Sequence, residues 1–213
     1  CDSTSVSGTI TVTPKSIITA VSTPTLNQTV CDDVDITPIG FSYSGSAQGA
    51  SISLNPSLPN GINFTFNNIT NTATITGKPD NLNLLTPTDY TYTVTTIGNL
   101  SVCTEASITG TITVNPNDVI TYDPTSGSRN QTLCSGAEIT PIRYQLSGGA
   151  TGATVVGLLD GLGYTVTASN VLVISGKVSP VNAAINNQSF TISTIGSCSP
   201  DLTEVTGDFS VYT

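Results

Sequence analysis

The stretch NQTVCDDVDITPIGF, residues 27–41, returns as NQTLCSGAEITPIRY at residues 130–144. A self-match of this length, roughly a hundred positions apart, marks a duplicated unit and takes precedence over any strand assignment. The register continues downstream in order. GASISL (49–54) answers GATVVG (152–157), GINFTF (61–66) answers GLGYTV (161–166), and TITGK (74–78) answers VISGK (173–177). TTIGNLSVC, ending at Cys103, answers STIGSC, ending at Cys198. The slips between matched blocks fall where turn residues cluster, the places where insertions cost least.

Composition narrows what the duplicated unit can be. Only 9% of the residues are charged, and Thr, Ser and Asn supply the polarity, a Thr-rich balance that favours strands over helices. The 19 Gly and 12 Pro lie between short alternating runs, as in many brief strands joined by turns. Five Lys and Arg against 14 Asp and Glu give a net charge of -9, which repels a phosphate backbone and sets nucleic-acid binding aside. No apolar run approaches the ~18 residues of a membrane span, and no basic start precedes an apolar core, so the chain is expected to be a mature protein or an excerpt.

Each repeat carries about seven alternating runs, the number and spacing expected of an immunoglobulin-like β-sandwich. In the first repeat they are 16–22, 36–43, 50–54, 62–66, 72–77, 89–97 and 107–114. Alternation assigns Ile39, Phe41 and Tyr43, then Ile62, Phe64 and Phe66, then Tyr90, Tyr92 and Val94 to a core-facing side. The second repeat keeps the pattern with Ile142, Tyr144 and Leu146, with Leu162, Tyr164 and Val166, and with Phe190 and Ile192. CDSTSVSGTITVTP (1–14) matches CTEASITGTITVNP (103–116), the closing strand of repeat one, and CSPDLTEVTGDFSV (198–211) is a looser third copy. The expected organisation is therefore all-β: residues 1–14 as the final strand of a preceding repeat, 15–115 as Ig-like repeat 1, and 116–213 as Ig-like repeat 2.

Five cysteines leave one over. The repeat frame pairs Cys31 with Cys103 and Cys134 with Cys198, and leaves Cys1 without the partner an upstream repeat would supply. Bridges closing loops of about 65–70 residues would each stabilise by about 4 kcal/mol in the chain-entropy model. Metal ligation by these cysteines is set aside, because there is no CxxC pair and no histidine. Disulfides imply an oxidising location, extracellular or at the cell surface.

Without histidine, Ser-His-Asp and Cys-His catalysis are impossible. Asp32, Asp33 and Asp35 form the densest acidic cluster, and oxygen ligands at such spacing are calcium candidates. Repeat two has Ser135, Gly136 and Glu138 there, so a solvated turn beside a disulfide is the preferred reading and no metal is assigned. Lys78 and Lys177, at equivalent positions after a Gly, read as turn residues ahead of isopeptide-bond donors, which need a desolvated Lys. Asn27-Gln28-Thr29 and Asn130-Gln131-Thr132 have the form of glycan acceptors, but read as turns whose Asn side chains bond nearby backbone. No cofactor motif is present.

Taken together, NQTVC with ITPI, GATGATV (149–155), LPNGINF (58–64), ITGKP (75–79), YTYTVTTIG (90–98) and GTITV (110–114) resemble the tandem repeats of SprB-type gliding-motility adhesins. These are giant surface filaments of gliding Bacteroidetes exported by type 9 secretion, with repeats described as PKD-like or Ig-like. The chain departs from the family's usual SGTPT with TGKPD and SGKVS. The resemblance implies a non-catalytic filament segment that spaces or presents adhesive regions for attachment or gliding. Its expected partners are neighbouring repeats and a surface polysaccharide or other adhesion target, with no membrane insertion. The alternatives are a carbohydrate-binding accessory module, which the absence of Trp disfavours, and a pilus-like subunit polymerising by strand donation from residues 8–13. The short linkers TPKSI (13–17) and NPNDV (115–119), each with a Pro, are expected to make a semi-rigid rod.

Overall fold

Alternation over four to eleven residues, broken by Gly and Asn turns, gives sixteen strands and no helix among the described residues. The computed structural model describes residues 3–21, 26–55, 58–80, 82–98, 104–180, 187–198 and 205–212. In the first repeat the strands are β1 (Ile17–Ala20), β2 (Asn27–Cys31), β3 (Ile39–Ser44), β4 (Ala47–Asn55), β5 (Ile62–Asn67), β6 (Thr72–Gly77), β7 (Thr88–Gly98) and β8 (Ser107–Asn115). They form sheets of order β1-β3-β6-β5 and β2-β8-β7-β4.

The second repeat restates this plan with β9 (Asp118–Tyr122), β10 (Gln131–Cys134), β11 (Ile142–Gly148), β12 (Ala150–Val156), β13 (Leu162–Val166), β14 (Val171–Gly176), β15 (Gln188–Gly196) and β16 (Val205–Tyr212). Its sheets are β13-β14-β11-β9 and β10-β16-β15-β12. Even the irregularities recur: the ladder shifts register between Ala47 and Gly49 in one repeat and between Ala150 and Gly152 in the other. The duplication seen in the letters is thus a duplication of topology.

The expectation of about seven strands per repeat misses one. The polar motif NQTVC, with Val30 as its sole large apolar residue, is itself β2, and its counterpart β10 pairs in parallel with β16. A short strand at the end of a sheet needs little apolar character, because backbone pairing and side-chain anchoring hold it.

By spatial grouping the chain forms two compact units. One comprises Cys1–Val30, Val34–Asp80 and Asp89–Thr113; the other comprises Cys31–Asp33, Asn81–Thr88 and Val114–Thr213. In the first, Ile39, Phe41, Tyr43, Ile75, Tyr92, Val94 and Ile112 are nearly fully buried, and Phe41 meets Tyr92 edge-on at 6.4 Å. In the second, Ile142, Tyr144, Leu146, Leu172, Ile174, Phe190, Ile192 and Phe209 form one core, with the Phe190 and Phe209 rings stacked at 5.2 Å.

Two expected core strands are corrected. Only Ile62 of its trio is buried, while Phe66 is 51% and Tyr164 39% exposed. Strands β5 and β13 lie at sheet ends, so their alternating side chains run past the margin of the core.

Burial also sets an alkaline limit. Desolvation pushes the Tyr92 and Tyr144 phenols up to about 12, and Tyr92 Oη donates to the Leu26 carbonyl at 2.7 Å. An unfolded phenol ionises near its ordinary value of 10.0, so the unfolded chain loses these protons first. Stability is therefore intact below about pH 10 and falls as pH rises from 10 toward 12. Tyrosinate absorbance should show Tyr92 and Tyr144 titrating late and together with loss of strand signal. Titration of Tyr92 and Tyr144 near pH 10 with the fold intact would contradict this.

Candidate functional site

The repeated motif is explained by what its amides hold. Gln28 donates from Nε2 to the Thr37 carbonyl (2.7 Å) and accepts at Oε1 from the Thr37 N–H (2.8 Å). Gln131 does the same with Thr140, at 2.8 and 3.0 Å. Asn27 Oδ1 accepts from the Thr111 N–H (2.9 Å), and Asn130 Oδ1 from the Asp208 N–H (3.1 Å). Each pair ties the second strand of its repeat to the last strand and to the ITPI segment, a structural use of the glycan-like triplets. Replacing Gln131 by Ala should lower stability by about 0.5–1.5 kcal/mol, since three exposed backbone groups, of Ser128 and Thr140, exchange this side chain for water. Urea unfolding checks this, and an unchanged midpoint would contradict it.

The cysteine pairing expected from the repeat frame is corrected. Cys31 is bonded to Cys198, with Cα atoms 5.5 Å apart and a sequence separation of 167. Cys134, expected to hold Cys198, is an exposed free thiol. The remaining two cysteines, Cys1 and Cys103, lie outside the described residues.

The reason is geometric. The segment Asn115–Asp118 is hydrogen-bonded beside both bonded cysteines: Asp32 N–H donates to the Asn115 carbonyl (3.0 Å), and Asp118 N–H donates to the Cys198 carbonyl (3.1 Å). Cys31 belongs to the first sequence repeat, yet sits with residues 114–213 in the second compact unit. Cys134 occupies the equivalent end of β10, beside Tyr212 of β16.

Next to this bond is a pocket of 220 Å³ lined by Asp32, Asp33, Asn83, Leu84, Asn117 and Val119. Of the three acidic candidates, Asp32 and Asp33 line it; Asp35 is exposed and belongs to the other unit. Asp32 is only 4% exposed. Its Oδ2 accepts from the Leu82 N–H at 2.9 Å, while Oδ1 is buried with no hydrogen-bond partner. Asn117 Oδ1 is likewise buried and unpartnered. Asp33 holds φ 64°, where the second repeat has Gly136 at 77°. Sequence reading reached the two aspartates but missed Asn83 and Asn117, because neutral amides in distant segments leave no pattern.

Among the described residues no three His, Cys, Asp or Glu side chains converge on one point. Lys78 and Lys177 are exposed, which removes the desolvation an isopeptide-forming lysine needs. No described helix is long and apolar enough to cross a membrane.

No known protein family matches the chain, and no curated protein matches it in sequence. Solved structures do. A three-domain Ig segment of titin, in an E-to-A variant, aligns at 12% identity and a TM-score of 0.51, over 94% of this chain and 66% of that one. A titin Ig tandem aligns at 7% identity and a TM-score of 0.38, over 95% and 100%. Tandem Ig repeats of Dlar align at 10% identity and 0.34, over 95% and 100%. The chain thus spans just under two thirds of the three-domain titin segment. At these identities the likeness concerns the fold, two tandem Ig-like β-sandwich domains.

Proposed function

We propose that this chain is a non-catalytic repeat segment of a long cell-surface filament, spacing or presenting adhesive regions as the SprB-type resemblance implies. The observation that carries the reading is the Cys31–Cys198 bond, which joins residues of successive sequence repeats. Such a bond resists separation of the repeats in a way that closure inside each repeat would not. One repeat further on, the same register gives exposed Cys134 the late cysteine of a following repeat, and gives Cys103 a cysteine of a preceding one. We keep 15–115 and 116–213 as the repeat boundaries and place the filament outside the cell, where disulfides persist.

Residues 3–12 fit an excerpt from such an array. They form no strand, and Val6, Ile10 and Val12 are 99%, 92% and 83% exposed. The matching Ile112 and Val114 of β8 are fully buried. In the proposed array the same side chains close the sandwich of an upstream repeat. This exposed alternating segment also favours the second reading, a subunit that donates the strand to a neighbouring chain. Carbohydrate binding has less support, since Tyr43, Tyr90, Tyr92 and Tyr144 are buried.

Sedimentation of residues 1–213 and 15–213 separates the readings. The filament segment is expected to stay folded and monomeric in both forms. Polymers formed by 1–213 and lost in 15–213 would overturn it in favour of strand donation. Scattering adds a check on the array, because freely jointed, collapsed beads would contradict a semi-rigid spacer.

A further inference from the structure

In the pocket beside the disulfide, two buried side-chain oxygens from separate segments lack a hydrogen-bond partner. Asp32 is almost entirely removed from water, and one of its carboxylate oxygens has no hydrogen-bond partner. The exposed carboxylate of Asp33 lies on the same pocket, and no Lys or Arg is among the lining residues. An ionised carboxylate in such a place is retained when it is paired or coordinates a metal. A second unpartnered oxygen, Oδ1 of Asn117, comes from a separate segment of the same lining.

The donor chemistry restricts the ion. Asp32, Asp33, Asn83 and Asn117 offer carboxylate and amide oxygens, with no sulfur or imidazole, a hard set that favours calcium or magnesium over zinc or copper. Magnesium requires near-octahedral ligands and keeps its water tightly. Calcium accepts six to eight oxygens in irregular arrangements, with waters completing the shell. Donors on turns, around 220 Å³ of space, suit the larger ion.

We propose that this pocket is a calcium site in which Asp32 and Asn117 are direct ligands and Asp33 and Asn83 complete the protein's share. The repeat frame supplies an internal control. At the position of Asn117 the first linker carries Lys15, and at the positions of Asp32 and Asp33 the second repeat carries Ser135 and Gly136. The turn of repeat one, the linker into repeat two and Asn83 from the segment between β6 and β7 together make up the oxygen set. Asp33 also holds a backbone conformation that suits the glycine of the other copy better, so its side chain is kept against local preference. The site is independent of the filament reading, and its failure would leave that reading untouched.

The test is calorimetric titration of the intact, oxidised chain with calcium alone, alongside thermal unfolding in calcium and in chelator. Saturable binding of one ion with a dissociation constant at or below about 1 mM is expected, together with a higher melting temperature in calcium. Asp32→Asn should weaken binding at least tenfold, while Asp35→Asn should leave it unchanged. Should Asp32→Asn fail to fold, Asp33→Gly and Asn117→Lys serve in its place. The first adopts the residue of the other repeat, and the second places an ammonium at the pocket. Both should fold and lose affinity. Absence of binding up to about 10 mM calcium, binding unaltered by these variants, or equal affinity for magnesium would overturn the assignment.

Discussion

Replacing Cys31 and Cys198 together by serine is expected to lower the stability of the second compact unit by about 2–4 kcal/mol. The two residues are 167 positions apart, a loop for which the chain-entropy model alone gives about 5 kcal/mol. Residual structure in the reduced chain reduces that figure. The loss should be local in origin. The bond closes on Asn115–Asp118, which is hydrogen-bonded to Asp32 on one side and to Cys198 on the other. Without it, residues 31–33 are held to that segment mainly by backbone hydrogen bonds. Urea unfolding of the double variant measures the effect. Cys134→Ser, at an exposed free thiol, should stay within about 0.5 kcal/mol of the parent. A comparable loss from Cys134→Ser would place the bond elsewhere.

Truncating Phe190 to Ala should cost about 3–5 kcal/mol, among the largest effects of any single side chain here. Phe190 is fully buried and stacked on Phe209. The backbone opposite is already as close as it can be, since a Cβ at Gly207 would run into the Phe190 ring. The surroundings therefore cannot collapse to fill the void, and the cavity term adds to the lost transfer energy. Tyr164→Ala, on end strand β13, should cost under about 1 kcal/mol, because 39% of that side chain already faces water. Equal losses at the two positions, measured by chemical unfolding, would contradict the placement of the core.

The contrast between Phe190 and Tyr164 also shows what the sequence could reveal. Alternation marked both as inward-facing, which holds for Phe190 and fails for Tyr164. It carries no information on how far along the sheet the opposing layer extends, and that decides burial on β5 and β13. The duplication was legible because Ile39, Phe41 and Tyr43 have apolar counterparts in Ile142, Tyr144 and Leu146, each nearly fully buried. Strand β2 was hidden because Asn27 and Gln28 hold it through side-chain hydrogen bonds, and such bonds leave no periodicity.

The disulfide was misassigned for a related reason. Assigning each bridge to its own repeat assumes that the repeat closes on itself. Here the end of β2 meets the segment leading into β9, and Pro116 and Asn117 alone separate β8 from β9. Cys31 is thereby placed against Cys198, with Asp32 and Asn117 near it on one pocket. The aspartates were visible as a cluster. Their amide companions, 50 and more residues downstream, became candidates only through the fold.

The account depends most on the bond between successive sequence repeats, and non-reducing peptide mapping of the native chain, after alkylation of free thiols, tests it most directly. A linked peptide pair containing Cys31 and Cys198, with Cys134 alkylated, is the predicted result. Linked pairs joining Cys31 to Cys103 and Cys134 to Cys198 would contradict it.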